Sequence, residues 1–150
     1  MGALILQLAA ARGETVIATA CPGADFATAL TGAWVHLVGF TGDLDTQVHA
    51  IAPGGVDAVL RLAGDPAQLA ALLRPGGRIA STFGFGPDDT GQDFTAHSVI
   101  ASANPQTLAT LADHAAIGPL RVPVTATYTL EQAPAAFGRG ALGKLAVTCS

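Results

Sequence analysis

Two cysteines, four histidines and a short acidic stretch hold most of the side chains able to act as nucleophile, general base or metal ligand in this 150-residue sequence. A cysteine nucleophile needs a neighbouring cation or imidazole to stabilise its thiolate, and Cys21 has neither beside it in sequence. It reads as a small, half-buried filler at the end of a strand. Cys21 and Cys149 lie at opposite ends of the chain without a Cys-x-x-Cys pair, so neither a disulfide framework nor a local zinc site is legible. His36, His49, His97 and His114 share no ligand spacing, and His49 and His114 fall on presumed helices, where a surface or satisfied imidazole is expected. Asp88, Asp89 and Asp93 lack the ligand pattern of a calcium loop and read as solvated acids. No metal site is expected. The run Phe83-Gly84-Phe85-Gly86 is either a ligand-facing loop or a flexible connector.

Such residues act only where elements hold them, and two kinds of segment alternate. Residues 3–12 are strong helix formers stopped by Gly13, and residues 15–20 form a strand-length run closed by Cys21-Pro22-Gly23. A short helix at 24–31 ends at Gly32, a strand covers 34–38, and Leu44, Val48 and Ile51 give residues 43–52 helical spacing. After the Pro53-Gly54-Gly55 break a strand spans 56–62. Asp65 as N-cap and Pro66 at the first position then open a helix over 66–74, and residues 78–82 form another strand. Beyond the loop at 83–91 come a candidate strand at 98–102, a helix at 106–116, and two apolar runs at 122–128 and 145–149. Near-continuous apolar strands alternating with helices predict an α/β, doubly wound parallel sheet joined by right-handed crossovers. Ligands of such sheets bind at the carboxyl ends of the strands, so segments 19–23, 63–65 and 83–87 are expected to line one cleft.

Composition narrows the class. Half the residues are hydrophobic and 12% are charged, yet Gly, Pro and polar residues interrupt every apolar run before it reaches membrane-spanning length. The seven basic residues are scattered and the net charge is −4, which leaves no stripe to hold a phosphate backbone. Neither a membrane nor nucleic acid is an expected partner. The apolar start, Met1 to Leu8, lacks the basic opening of a secretory signal, so a cytoplasmic protein is expected.

Several stretches resemble the medium-chain dehydrogenase/reductases, and within them the zinc-independent quinone oxidoreductase branch. They are Met1–Gly13, Thr15–Thr19, Gly55–Val59, Leu72–Ile79, Tyr128–Phe137 and Gly143–Val147, in the family's order along essentially the whole chain. The resemblance implies a Rossmann-type, nicotinamide-binding domain over residues 1–121, with 122–150 a tail that in the family packs partly on a separate substrate domain. It also implies that the family's first strand, most of its glycine turn and its substrate domain precede the position of Met1, so that the sheet is incomplete at its N-terminal strand. Gly2 then stands for the last glycine of the turn. An apolar tail strand such as Leu145–Thr148 is a candidate to fill the gap. Arg61 departs from the pattern, because the family often has Asp at this strand's end. Lys144, within Gly-Lys-Leu-Ala-Val, either approaches the cofactor or only snorkels at a strand start.

NAD-specific domains place an acid at the end of the second strand to accept the ribose hydroxyls. Ala20-Cys21-Pro22 offers none, which favours NADP(H) over NAD(H). The expected function is therefore the nucleotide-binding portion of an NADP(H)-dependent reductase that moves hydride to a quinone or other conjugated carbonyl. Gly2, Thr19, Ala20, Cys21, Ala63, Gly64, Phe83, Gly84 and Phe85 are expected at the cofactor, and no catalytic acid is assigned. Two alternatives stand beside it: a non-catalytic binding or dimerisation module, and a methyltransferase-like domain, for which Leu72–Ile79 after an apolar strand is the supporting feature. In the family the last strand of the sheet commonly pairs across a two-fold axis. Ser98, Val99, Ile100, Ala101 and Ser102, unguarded by Lys or Pro, are thus the expected homodimer contact.

Overall fold

The computed structural model describes residues 1–20, 34–85, 93–118, 120–137 and 144–149. The chain divides into two compact units, one of residues 37–104 with Met1 and one of residues 2–36 with 105–150. The expected helix at 24–31 lies outside the described residues.

The first unit holds most of β2 (Val35–Gly39), then α2 (Leu44–Ile51), β3 (Val56–Arg61), α3 (Pro66–Ala71), β4 (Leu73–Ser81) and β5 (Thr95–Ser98). Asp43 caps α2, accepting hydrogen bonds from the hydroxyl (2.6 Å) and backbone N–H (3.2 Å) of Thr46. Those bonds hold its carboxyl below the ordinary carboxylate value, so this cap is in place at neutral pH and is lost as pH falls through that lowered value. Gln47 then fastens the helix to the end of β2: its amide oxygen accepts the Gly39 N–H at 2.8 Å and its amide nitrogen donates to the Gly39 carbonyl at 3.1 Å. A side-chain amide thus completes a strand end as a neighbouring backbone would.

Strands β3, β4 and β5 form a parallel sheet in that order. Asp65 and Pro66 start α3 as the sequence predicts, with the Asp65 carboxylate accepting from Gln68 N–H at 2.8 Å. The helix stops at Ala71 rather than Arg74, and β4 begins at Leu73 rather than Arg78. Pro75 disfavours helical backbone at Arg74, and Leu73 pairs with Val56 before the register shifts across Pro75-Gly76-Gly77 to Ala58 opposite Arg78. The candidate strand at 98–102 is also displaced. Pairing with Arg78–Ser81 places β5 at Thr95–Ser98, anchored by buried Phe94, and Val99–Ser102 continue without regular structure. Ile79, fully buried at 0% exposure, packs with Ala70 and Phe94 to form the core, flanked by Val59, Leu73, Phe85 and Ala96.

The second unit contains α1 (Gly2–Ala10), β1 (Val16–Ala20), α4 (Pro105–Ile117), β6 (Val124–Thr129), a 3₁₀ turn at Leu130–Gln132, α5 (Ala133–Phe137) and β7 (Lys144–Thr148). The Val16 N–H at the start of β1 donates to the Trp34 carbonyl at 2.9 Å. Gln7 repeats the device seen at Gln47: its amide nitrogen donates to the Arg121 carbonyl at 2.8 Å and its amide oxygen accepts the Arg121 N–H at 2.7 Å, tying α1 to the segment before β6.

β6 and β7 pair in parallel from Val124 opposite Lys144 to Thr129 opposite Thr148. Among the described residues Leu145–Thr148 pairs with β6 and with no other strand, so the tail strand expected to fill the gap is instead matched with the other apolar tail run. The architecture is α/β with parallel strands.

Candidate functional site

Parallel strands deliver their last residues to one edge, and in the first unit β3 and β4 end in register at Arg61 and Ser81. The turn after β3 carries Ala63 and Gly64, the latter at φ +89°, and the turn after β4 carries Phe83, Gly84 and Phe85, with Gly84 at φ +57° and open space where a Cβ would stand. Five expected cofactor residues are thus brought to one carboxyl edge. Gly2 opens α1, and Thr19 and Ala20 end β1, all in the second unit; Cys21 lies outside the described residues, as do Gly86, Pro87, Asp88 and Asp89.

Two residues missing from the expected set organise the edge. Arg61 Nε donates to the Gly64 carbonyl at 3.2 Å, and Nη1 donates to Ser81 Oγ, also at 3.2 Å. Ser81, 1% exposed, accepts the Phe83 N–H at 3.1 Å on the same oxygen. The Arg61 Cζ lies over the Phe83 ring at 5.3 Å from its centroid and over the Phe85 ring at 6.0 Å. Phe85 in turn stacks on the core residue Phe94, with centroids 5.7 Å apart. A single guanidinium therefore fixes both turns, while Phe83 stays 65% exposed. The legible signal was positional: Arg61 and Ser81 are the last residues of neighbouring apolar strands. What could not be read from one sequence was the register that sets them opposite each other.

The remaining candidates are accounted for locally. His49 pairs with Asp45 one turn earlier on α2, at 3.3 Å, as a surface imidazole. His36, His97 and His114 are exposed on β2, β5 and α4. Lys144 starts β7 with its backbone N–H donated to the Pro123 carbonyl and its side chain exposed. Among the described residues no group of three or more His, Cys, Asp or Glu side chains is placed to hold a metal ion. No helix among them is long and apolar enough to cross a membrane.

Comparison with known proteins agrees with this architecture. Residues 34–145 match the family model described as zinc-binding dehydrogenase. Among solved structures, a quinone oxidoreductase from Coxiella burnetii is 25% identical over 98% of this chain and 49% of its own, with a TM-score of 0.80. A Pseudomonas syringae quinone oxidoreductase is 23% identical over 97% of this chain and 52% of its own, at TM-score 0.69. The structure of an NAD-dependent alcohol dehydrogenase is 22% identical over 99% of this chain and 48% of its own, at TM-score 0.76. The chain spans about half the length of these relatives. No match is found among curated proteins. With the family model covering well over half of the chain, and with the alternation of helices and parallel strands already described, the chain belongs to the zinc-binding dehydrogenases of the medium-chain dehydrogenase/reductase group.

Proposed function

We propose that this chain is the nucleotide-binding part of an NADP(H)-dependent quinone or enone reductase, with residues 1–121 forming the cofactor-binding portion and 122–150 a tail. The observation that carries the reading is the carboxyl edge of β3 and β4, where two glycine-containing turns and an exposed aromatic ring are held together by Arg61 and Ser81. Such an edge fits one mononucleotide-binding half of a doubly wound sheet. The nicotinamide, when bound, supplies the hydride for a conjugated carbonyl. The protein's part is to orient and shield: Gly64 and Gly84 let backbone approach a ligand closely, and Phe83 and Phe85 present an apolar wall. Gly2, Thr19, Ala20 and Cys21 are assigned to the same cofactor on sequence grounds.

The absence of an acid in Ala20-Cys21-Pro22 favours NADP(H) over NAD(H), because no carboxylate there repels a 2′-phosphate. At about ten times its dissociation constant, NADPH is expected to raise the unfolding free energy by about 1.4 kcal/mol, with a smaller effect from NADH at the same concentration. Thermal melts and NADPH fluorescence test this. A protein that responds to neither nucleotide at millimolar concentration is a binding or dimerisation module instead.

The reading extends to a cytoplasmic homodimer joined through Ser98–Ser102. Among the described residues β5 pairs on one side only, with β4, and just beyond it the side chains of Val99 and Ile100 are exposed, the latter 85%, an apolar pair next to that strand edge. Light scattering is expected to give a dimer for the wild type at micromolar concentration and a monomer for Ile100→Lys. A monomeric wild type would sink this part of the reading.

A further inference from the structure

We propose that Arg61 and Phe83 select an anionic substrate: a planar conjugated carbonyl compound that carries a carboxylate. This deepens the reductase reading and rests on it. Guanidinium has five N–H donors, of which Nε and Nη1 each give one to Gly64 and Ser81. Among the described residues no carboxylate lies within ion-pair distance of Arg61, and the two ion pairs found there belong to His49 with Asp45 and Arg74 with Asp57. Among the described residues its charge is therefore met by a carbonyl, a hydroxyl and two ring faces, none of which neutralises it.

Those four contacts also fix the side chain before any ligand arrives, so little rotamer entropy remains to be lost on binding. The remaining donors form an in-plane fork of the kind that a carboxylate fills with two parallel hydrogen bonds. Phe83 supplies the second half of the recognition. It is a large apolar ring left mostly exposed at the edge where this fold binds ligands, and the fixed cation lies against it. Phe83 is 65% exposed beside the fixed cation, so a flat ring that carries a carboxylate can pack against it on the guanidinium's side. A phosphate needs no such ring and is more usually met by backbone N–H groups, so the carboxylated ring is the better fit.

The test is titration of the 150-residue chain with 2-naphthoate, 2-naphthamide and inorganic pyrophosphate, followed by the Arg61 Nε–Hε resonance and the Phe83 ring resonances. Naphthoate is expected to saturate both signals and to bind about tenfold more tightly than the isosteric amide, a difference that shrinks as salt is raised. Arg61→Gln is expected to abolish the acid-over-amide preference, and Arg61→Lys to retain part of it. Because Arg61→Gln also releases the two turns, Phe83→Leu is the second variant: it removes one ring face, keeps both Arg61 side-chain hydrogen bonds, and weakens acid and amide alike. Equal wild-type affinity for naphthoate and naphthamide would overturn the proposal. So would an Arg61 resonance moved by pyrophosphate and not by naphthoate, which would assign the guanidinium to the nucleotide's phosphates. NADPH binding, measured separately, reports on the reductase reading whichever way these titrations fall.

Discussion

Replacing Ile79 by alanine is expected to lower the stability of the 37–104 unit by about 4 kcal/mol, a large share of the roughly 5–15 kcal/mol typical of a domain. Ile79 is 0% exposed on β4, the middle strand of its sheet, and it packs with Ala70 on α3 and Phe94 before β5, so its removal leaves a cavity where three elements meet. Backbone pairing on both sides of β4 prevents the strand from collapsing into that space. The loss also reaches the ligand edge. Ser81 is two residues further along the same face of β4, and Phe94, a partner of Ile79, carries the Phe85 ring beside Arg61. Ile79→Ala should therefore lower the urea midpoint sharply and broaden the Phe83 and Phe85 resonances, whereas Ile79→Val should cost only about 1 kcal/mol and leave them sharp. A loss below about 1.5 kcal/mol for the alanine variant would show that this core can close over the gap.

The strands and helices that position this edge were largely legible because each is marked by local chemistry. Asp65-Pro66 marks a helix start whatever follows, and the β-branched run at 15–20 and the apolar run at 56–62 predict strands where β1 and β3 form. Where the reading missed, pairing had overridden local pattern. Leu73-Arg74-Pro75 looks like the end of a helix, yet Leu73 is drawn into the sheet opposite Val56. Val99 and Ile100 are better strand formers than Thr95–Ser98, but register with Arg78–Ser81 selects the latter. The same limit applies to the site. Glycine turns after strands identify Gly64, Phe83 and Gly84, because turn chemistry is local. Arg61 stands out in sequence only as a departure from the family's usual Asp. Its role at the edge depends on Ser81, twenty residues on, and on two rings that a sequence cannot set against it.

Gly55→Ala is expected to be the most damaging glycine-to-alanine change among the described residues, at about 3 kcal/mol, because it combines left-handed backbone strain with a collision. Gly55 has φ +84°, and a Cβ there would stand 2.8 Å from Arg74 N, 3.0 Å from Leu72 O and 3.1 Å from Leu73 C. All three obstacles are backbone, so no side chain can swing aside. Relief requires moving β3 away from the start of β4, where Val56 N–H donates to the Leu72 carbonyl at 2.9 Å and Val56 pairs with Leu73. Two neighbouring glycines separate the contributions. Gly76 has φ +72° with nothing within 4 Å of its Cβ position, so Gly76→Ala isolates backbone strain and should cost about 1 kcal/mol. Gly54 has open space and no left-handed φ, so Gly54→Ala should be neutral or stabilise by a few tenths of a kcal/mol, through lower entropy of the unfolded chain. The expected order of urea midpoints is Gly54→Ala, then Gly76→Ala, then Gly55→Ala. Since β3 carries Arg61 at its far end, displacement at Gly55 should also lengthen the Arg61–Ser81 contact, which the Arg61 Nε–Hε resonance reports. If Gly55→Ala and Gly76→Ala prove equally stable, backbone conformation alone sets the cost, and the close approach of β3 to β4 contributes nothing.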